Sequence, residues 1–213
     1  MRAWIAGLAA LFFLLGGVMQ GSASARTLTI VAFGDSLTAG FGLGPSDAFP
    51  AVLERELRAR GLDVKVVNFG ISGDTTAGGV ARVKAALAVK PDGVILELGA
   101  NDGLRGFDPA FVEANLDRML SEFKAAGVPV MLTGMRALMG MGKRYGEEFR
   151  AIYPRLAARH GVPLYPFFLE GVAGNPALNL PDGLHPNPEG VREIVRRIAP
   201  EVEKFVKGIG AGM

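Results

Sequence analysis

Four short polar clusters hold the residues that could carry chemistry: Gly34-Asp35-Ser36-Leu37, Ile71-Ser72-Gly73-Asp74-Thr75, Gly99-Ala100-Asn101-Asp102 and Asp182-Gly183-Leu184-His185-Pro186. A serine hydroxyl attacks a carbonyl only when a base removes its proton. The chain holds two histidines, His160 and His185. His160 precedes Gly161 at the end of a helical stretch, where a cation offsets the helix dipole. His185 follows Asp182 by three residues, so one short loop can present both groups. Asp182 can then hold the imidazole and stabilise its charged form. That makes Ser36, His185 and Asp182 the candidate nucleophile, base and orienting acid. Acyl transfer also requires donors for the developing oxyanion. The candidates are the Ser36 backbone N–H, the Gly73 backbone N–H and the Asn101 side chain. Each cluster also has a plainer reading: Asp182-Gly183 and Asn101-Asp102-Gly103 as turns, and Gly73-Asp74 as a turn capping the next helix. Asp35 is read as shaping the turn before Ser36 and is left out of the catalytic set.

These clusters gain meaning from the elements before them. Apolar runs at Leu28–Phe33, Val64–Asn68, Val94–Leu98, Val128–Thr133 and Val162–Tyr165 read as five strands. Between and after them, helical spacing places Val80, Val83 and Leu87 on one face, and Leu116, Met119, Leu120 and Phe123 on another. Val191, Ile194, Val195, Ile198, Val202, Phe205 and Val206 line the last helix. The alternation predicts an α/β three-layer fold: a five-stranded parallel sheet, flavodoxin-like in order 2-1-3-4-5, with helices on both faces. Ligands of such sheets bind beyond the carboxyl ends of the strands, where all four clusters fall. The tail after Lys207 is expected to fray.

The first 25 residues read as a cleaved signal peptide: Arg2, an apolar core from Leu8 to Val18, and the small-residue site Ala23-Ser24-Ala25. Residues 26–213 then form a single domain, exported to the periplasm or secreted, with no stable membrane insertion after removal of the signal. Cysteine is absent, which excludes disulfides, a thiolate nucleophile and Cys-ligated metals. A formal charge of +2 does not suggest a nucleic-acid partner. The chain is expected to be a monomer. The segment Gly134–Gly146, rich in Met and Gly, follows the fourth strand; Met135, Leu138, Met139 and Met141 read as a pliable wall for an acyl chain, or else as core filling in a connector.

The four clusters, in this order, resemble the blocks of the SGNH/GDSL hydrolases, and the resemblance spans the mature chain. It is most similar to the exported bacterial group of thioesterases, lysophospholipases and arylesterases. Supporting stretches are Glu97-Leu98-Gly99-Ala100-Asn101-Asp102-Gly103-Leu104-Arg105-Gly106, Ala151-Ile152-Tyr153-Pro154 and Val162-Pro163-Leu164-Tyr165-Pro166-Phe167-Phe168. The resemblance implies Ser36, Asp182 and His185 as the catalytic set and Ser36, Gly73 and Asn101 as the oxyanion hole. It implies no metal or organic cofactor, and a small-molecule acyl ester or thioester as substrate. Two alternatives stand beside it. One is a carbohydrate O-deacetylase, against which the apolar Gly134–Gly146 segment weighs. The other is a non-catalytic binding module using Gly40-Phe41-Gly42-Leu43-Gly44 as a phosphate or flavin cradle. That stretch lacks the Gly-Lys-Ser/Thr ending of a P-loop, and no Lys or Arg lies between Thr27 and Glu54.

Overall fold

The computed structural model describes residues 26–137 and 140–211. The expected signal peptide and two of the proposed wall residues, Leu138 and Met139, lie outside the described residues. Five parallel strands form one sheet in the order β2-β1-β3-β4-β5, as expected. They are β1 (Leu28–Gly34), β2 (Val64–Gly70), β3 (Gly93–Glu97), β4 (Val130–Thr133) and β5 (Leu164–Tyr165). Central strands β1 and β3 are near-continuous apolar runs because helices cover both faces. Edge strand β2 is mixed instead, with Val64 and Val66 buried and Lys65 and Asn68 exposed. Strands β4 and β5 start two residues later than the apolar runs suggest. Pro129 and Pro163 interrupt those runs, and proline has no N–H for the ladder. Their carbonyls still accept, from Val94 and Leu132.

Seven α-helices accompany the sheet among the described residues: α1 (Ser36–Ala39), α2 (Phe49–Ala59), α3 (Thr76–Ala88), α4 (Ala100–Leu104), α5 (Pro109–Ala125), α6 (Lys143–His160) and α7 (Pro188–Ala211). α2 packs on α7 and β2, α3 on α5, and α5 on α6, which divides the helices between two faces. No helix among them is long and apolar enough to cross a membrane. α7 runs on through Ala211, where a frayed tail was expected. Ile209 and Phe205 explain the difference. A Cβ on Gly93 would lie 2.6 Å from Ile209 Cδ1 and 3.1 Å from Phe205, so the bare glycine seats the last turn against β3.

The register matters most for the site. Gly34 is paired with Gly70 on one side and Glu97 on the other. Three neighbouring strands therefore end at one level, and the segments after them share one rim. The strand order reverses between β1 and β3, the switch point where open sheets leave a crevice.

Candidate active site

The nucleophile candidate sits on a short, well-capped turn. Asp35 is the N-cap of α1, and its Oδ1 accepts from the Leu37 N–H at 3.0 Å. Ser36 is thus the first residue of the helix, and its N–H has no acceptor within it. Gly40 ends α1 in the left-handed conformation, φ 83°. The close approach of β1, β2 and α1 depends on Gly70: a Cβ there would lie 2.2 Å from Ala39 N.

The loop before α7 brings Asp182 and His185 to this turn. An antiparallel bridge between Asn179 and Pro186 closes its base, and Leu180 N–H donates to the His185 carbonyl at 2.7 Å. Inside the loop, Asp182 Oδ1 accepts from the Leu184 and His185 N–H groups at 2.9 and 3.0 Å. Asp182 Oδ2 lies 2.6 Å from His185 Nδ1. The turn reading and the catalytic-partner geometry are both present, one on each oxygen. These hydrogen bonds, the backbone one from His185 first, pull the Asp182 carboxyl down to about 2. Ionised, it can only accept, so Nδ1 carries a proton, and in the neutral imidazole Nε2 is then the acceptor. Nε2 lies 2.9 Å from Ser36 Oγ. The three residues form one continuous chain of hydrogen bonds from two distant segments.

Gly73 and Asn101 lie on the adjoining strand ends. Ile71 to Asp74 is a tight turn, with Asp74 N–H donating to the Ile71 carbonyl at 3.1 Å. Gly73 takes its third position at φ 81°, which a type II turn reserves for glycine. Space around it is open: a Cβ would meet nothing within 4 Å. Its N–H has no protein acceptor among the described residues. Asn101, in the first turn of α4, donates from Nδ2 to the Asp74 carbonyl at 2.9 Å and to Asp35 Oδ2 at 3.2 Å.

Sequence reading missed several residues of this rim. Phe41 lies against the imidazole of His185, ring centroids 4.4 Å apart; it was visible only as part of a glycine-rich stretch. Glu97 ends β3 fully buried, accepting from Thr38 Oγ1 at 2.8 Å, while its Oε1 has no partner among the described residues. Burial, then the charge of Asp35, raises its carboxyl well above the ordinary range. Burial likewise lifts Asp35 to about 7. Asp102, beside Asn101, is buried and accepts from Thr76 N and Oγ1 at 2.9 and 2.6 Å, tying α4 to α3. Among the described residues no group of three or more His, Asp or Glu is arranged to hold a metal ion.

The acyl-wall segment divides. Met135 is 2% exposed and belongs to the core. Met141 is 39% exposed and reaches the rim, close to Gly106. Residues 143 to 146 are not loop at all but the first turn of α6.

The family model for GDSL-like lipases and acylhydrolases matches residues 32–193, from the first nucleophile strand to beyond His185. The chain belongs to this family. This GDSL-like hydrolase is 43% identical over 197 residues to an arylesterase of Vibrio mimicus, covering 92% of this chain and 96% of the relative. It is 42% identical to the thioesterase 1/protease 1/lysophospholipase L1 of Escherichia coli, covering 87% of each. The crystal structure of AlinE4, an SGNH-hydrolase family esterase, superposes with a TM-score of 0.72 at 44% identity, over 84% of this chain and 97% of that one. The chain is accordingly an ester hydrolase of the SGNH/GDSL type.

Proposed function

We propose that the enzyme hydrolyses acyl esters through an acyl-enzyme on Ser36. The observation that carries this reading is the Asp182–His185–Ser36 relay, with contacts of 2.6 and 2.9 Å. His185 Nε2 takes the Ser36 proton as Oγ attacks the acyl carbonyl. The oxyanion forms against the N–H groups of Ser36 and Gly73 and the Asn101 carboxamide. Asn101 keeps its 2.9 Å bond to Asp74 and turns the longer one, now on Asp35, toward the oxyanion. The tetrahedral intermediate collapses, and His185 gives its proton to the departing alcohol or thiol. His185 then deprotonates a water, which attacks the acyl carbon; the second collapse returns the proton to Ser36 and frees the acid.

The substrates we infer are small acyl esters with an apolar acyl or aryl part: aryl esters and lysophospholipids, with acyl thioesters also accepted. Phe41, Ile71, Leu104, Phe111, Met141 and Leu184 support this, each 39 to 52% exposed on segments at the carboxyl edge of the sheet. A sugar-binding face would use polar groups there instead. The N-terminal 25 residues act as an export signal, and the mature enzyme works outside the cytoplasm as a monomer. Fluorophosphonate labelling followed by peptide mapping tests the mechanism. The adduct is expected on Ser36, and an adduct elsewhere would overturn the assignment.

A further inference from the structure

We infer that Arg82 is a positioning residue for this reaction, resting on the catalytic reading above: its guanidinium clamps the nucleophile turn and the oxyanion turn at a fixed separation. Arg82 lies on α3, on no motif block, and its side chain is only 12% exposed. One guanidinium reaches three groups on three segments. Nη2 donates to the carbonyl of Gly34 at 2.7 Å, two residues before Ser36. Nη1 donates to the carbonyl of Phe69 at 2.6 Å, at the end of β2. Nε donates to Asp74 Oδ2 at 2.7 Å, next to Gly73. The guanidinium also lies over the Phe33 ring, 3.9 Å from its centroid, and Phe33 itself stacks on Phe69.

Chemistry explains why arginine does this. Its planar fork offers five donors in fixed directions and stacks on aromatic faces. The two carbonyls sit at the ends of β1 and β2; that of Gly34 already accepts from the Ile71 N–H at 3.1 Å, and a carbonyl oxygen has a second lone pair for the guanidinium. Asp74 then passes the constraint on. Its other oxygen accepts from Thr75 N at 3.0 Å, and its carbonyl holds Asn101 Nδ2 at 2.9 Å. Gly78 leaves room for this carboxylate: a Cβ there would lie 1.8 Å from Asp74 Oδ1. Arg82 touches no proposed reacting atom, yet it connects to the Ser36 turn through Gly34 and to both Gly73 and Asn101 through Asp74. The expected consequence is specific. Losing the clamp misplaces oxyanion donors relative to Ser36 Oγ, which slows chemistry while leaving the exposed apolar rim, and so ground-state binding, in place.

Arg82→Lys retains the charge, but its donors share a single nitrogen and cannot span all three acceptors as the planar fork does. With an aryl ester, kcat is expected to fall roughly 10- to 100-fold, the scale of a misplacement of about 1 Å, with KM changed by less than about threefold. The rate of Ser36 phosphonylation by a fluorophosphonate should fall in parallel, because the same donors face the phosphoryl oxygen. Wild-type kcat in a folded Arg82→Lys, or a rise in KM that carries the whole loss, overturns the inference. Should Arg82→Lys fail to fold, Asp74→Asn decides. It keeps an acceptor for Thr75 but weakens the charged pair, and the same kcat-led loss is expected; wild-type kcat refutes the clamp. Ser36→Ala run alongside separates the two readings. An active Ser36→Ala removes the catalytic reading, whereas an inactive one beside unaffected clamp variants removes the clamp alone.

Discussion

Two histidine–aspartate pairs sit at opposite ends of this molecule. At the carboxyl edge of the sheet, His185 lies 2.6 Å from Asp182. At the far end of α6, His160 Nε2 lies 2.9 Å from Asp117, which also takes Arg159. Seen as pairs they are alike. What separates them is the second ring nitrogen: His185 turns it to Ser36 Oγ, whereas no such partner meets His160 among the described residues. His160 also ends a helix whose C-terminus favours a cation, before a left-handed Gly161 at φ 67°. A groove of about 970 Å³ opens beside it, lined by Val130, Leu164, Phe205 and others at the amino ends of the strands. This groove lies at the end of the sheet opposite Ser36. Volume measures unfilled space, whereas the candidate base, nucleophile and oxyanion donors lie together at the carboxyl rim.

The contrast can be broken most directly at the relay. Ser36→Ala and His185→Ala are each expected to lower kcat by roughly 10⁶-fold, and the double variant by little more, because the pair acts as a unit. His160→Ala should leave kcat at the wild-type level and lower only the thermal midpoint. A His160→Ala enzyme as dead as His185→Ala would collapse the distinction.

Asp182→Asn is next, with a kcat loss on the order of 10⁴-fold from the wrong imidazole tautomer. It also carries a pH signature. The folded carboxyl is depressed to about 2, so its stabilising contribution is present above the ordinary value near 3.9. That contribution is lost as pH falls toward 2. Denaturant melts at pH 4 and pH 2.5 should show the wild type losing more stability across this interval than Asp182→Asn; equal losses would count against the assignment.

Gly73→Ala sharpens the oxyanion side. Nothing obstructs the new methyl, so the cost is the left-handed backbone, about 1–2 kcal/mol. If the turn relaxes to shed that strain, its N–H leaves the site. The prediction is a fall in kcat of roughly 10- to 100-fold with a modest drop in melting temperature. Unchanged kcat would take Gly73 out of the oxyanion hole.

At Asp35 the expected effect is read in stability rather than kcat. Its folded carboxyl lies at about 7, above its unfolded value. Such a group stabilises the fold fully below about 3.9, and that contribution is lost as pH rises through 7. The stability of wild type relative to Asp35→Asn should therefore decline between pH 4 and 7.5 in urea melts. A relative gain over that range would mean Asp35 folds as an ordinary ionised cap.

How much of this was legible in the residues follows from what each pattern encodes. Buried strands advertise themselves as apolar runs, and all five were found; the boundaries shifted where prolines interrupt the ladder and where β2 continues to Gly70. Gly-Asp-Ser-Leu and Asp-Gly-Leu-His are local, and their chemistry could be proposed because they occur together with the other two clusters at successive strand ends. Arg82, Glu97 and Phe41 gave no such signal. A lone arginine on a helix, a glutamate inside an apolar run and a phenylalanine among glycines each have common plain explanations, and their partners lie tens of residues away.

The amino-acid sequence by itself determined the layered α/β fold and the set of groups able to do acyl chemistry, because those depend on periodicity and on short-range spacing. Only the tertiary structure decided that Ser36 and His185, 149 residues apart, lie 2.9 Å from one another. It alone brought one guanidinium to three strand-end segments. Those outcomes rest on the shared level at which β1, β2 and β3 end, a register that no local stretch of residues contains.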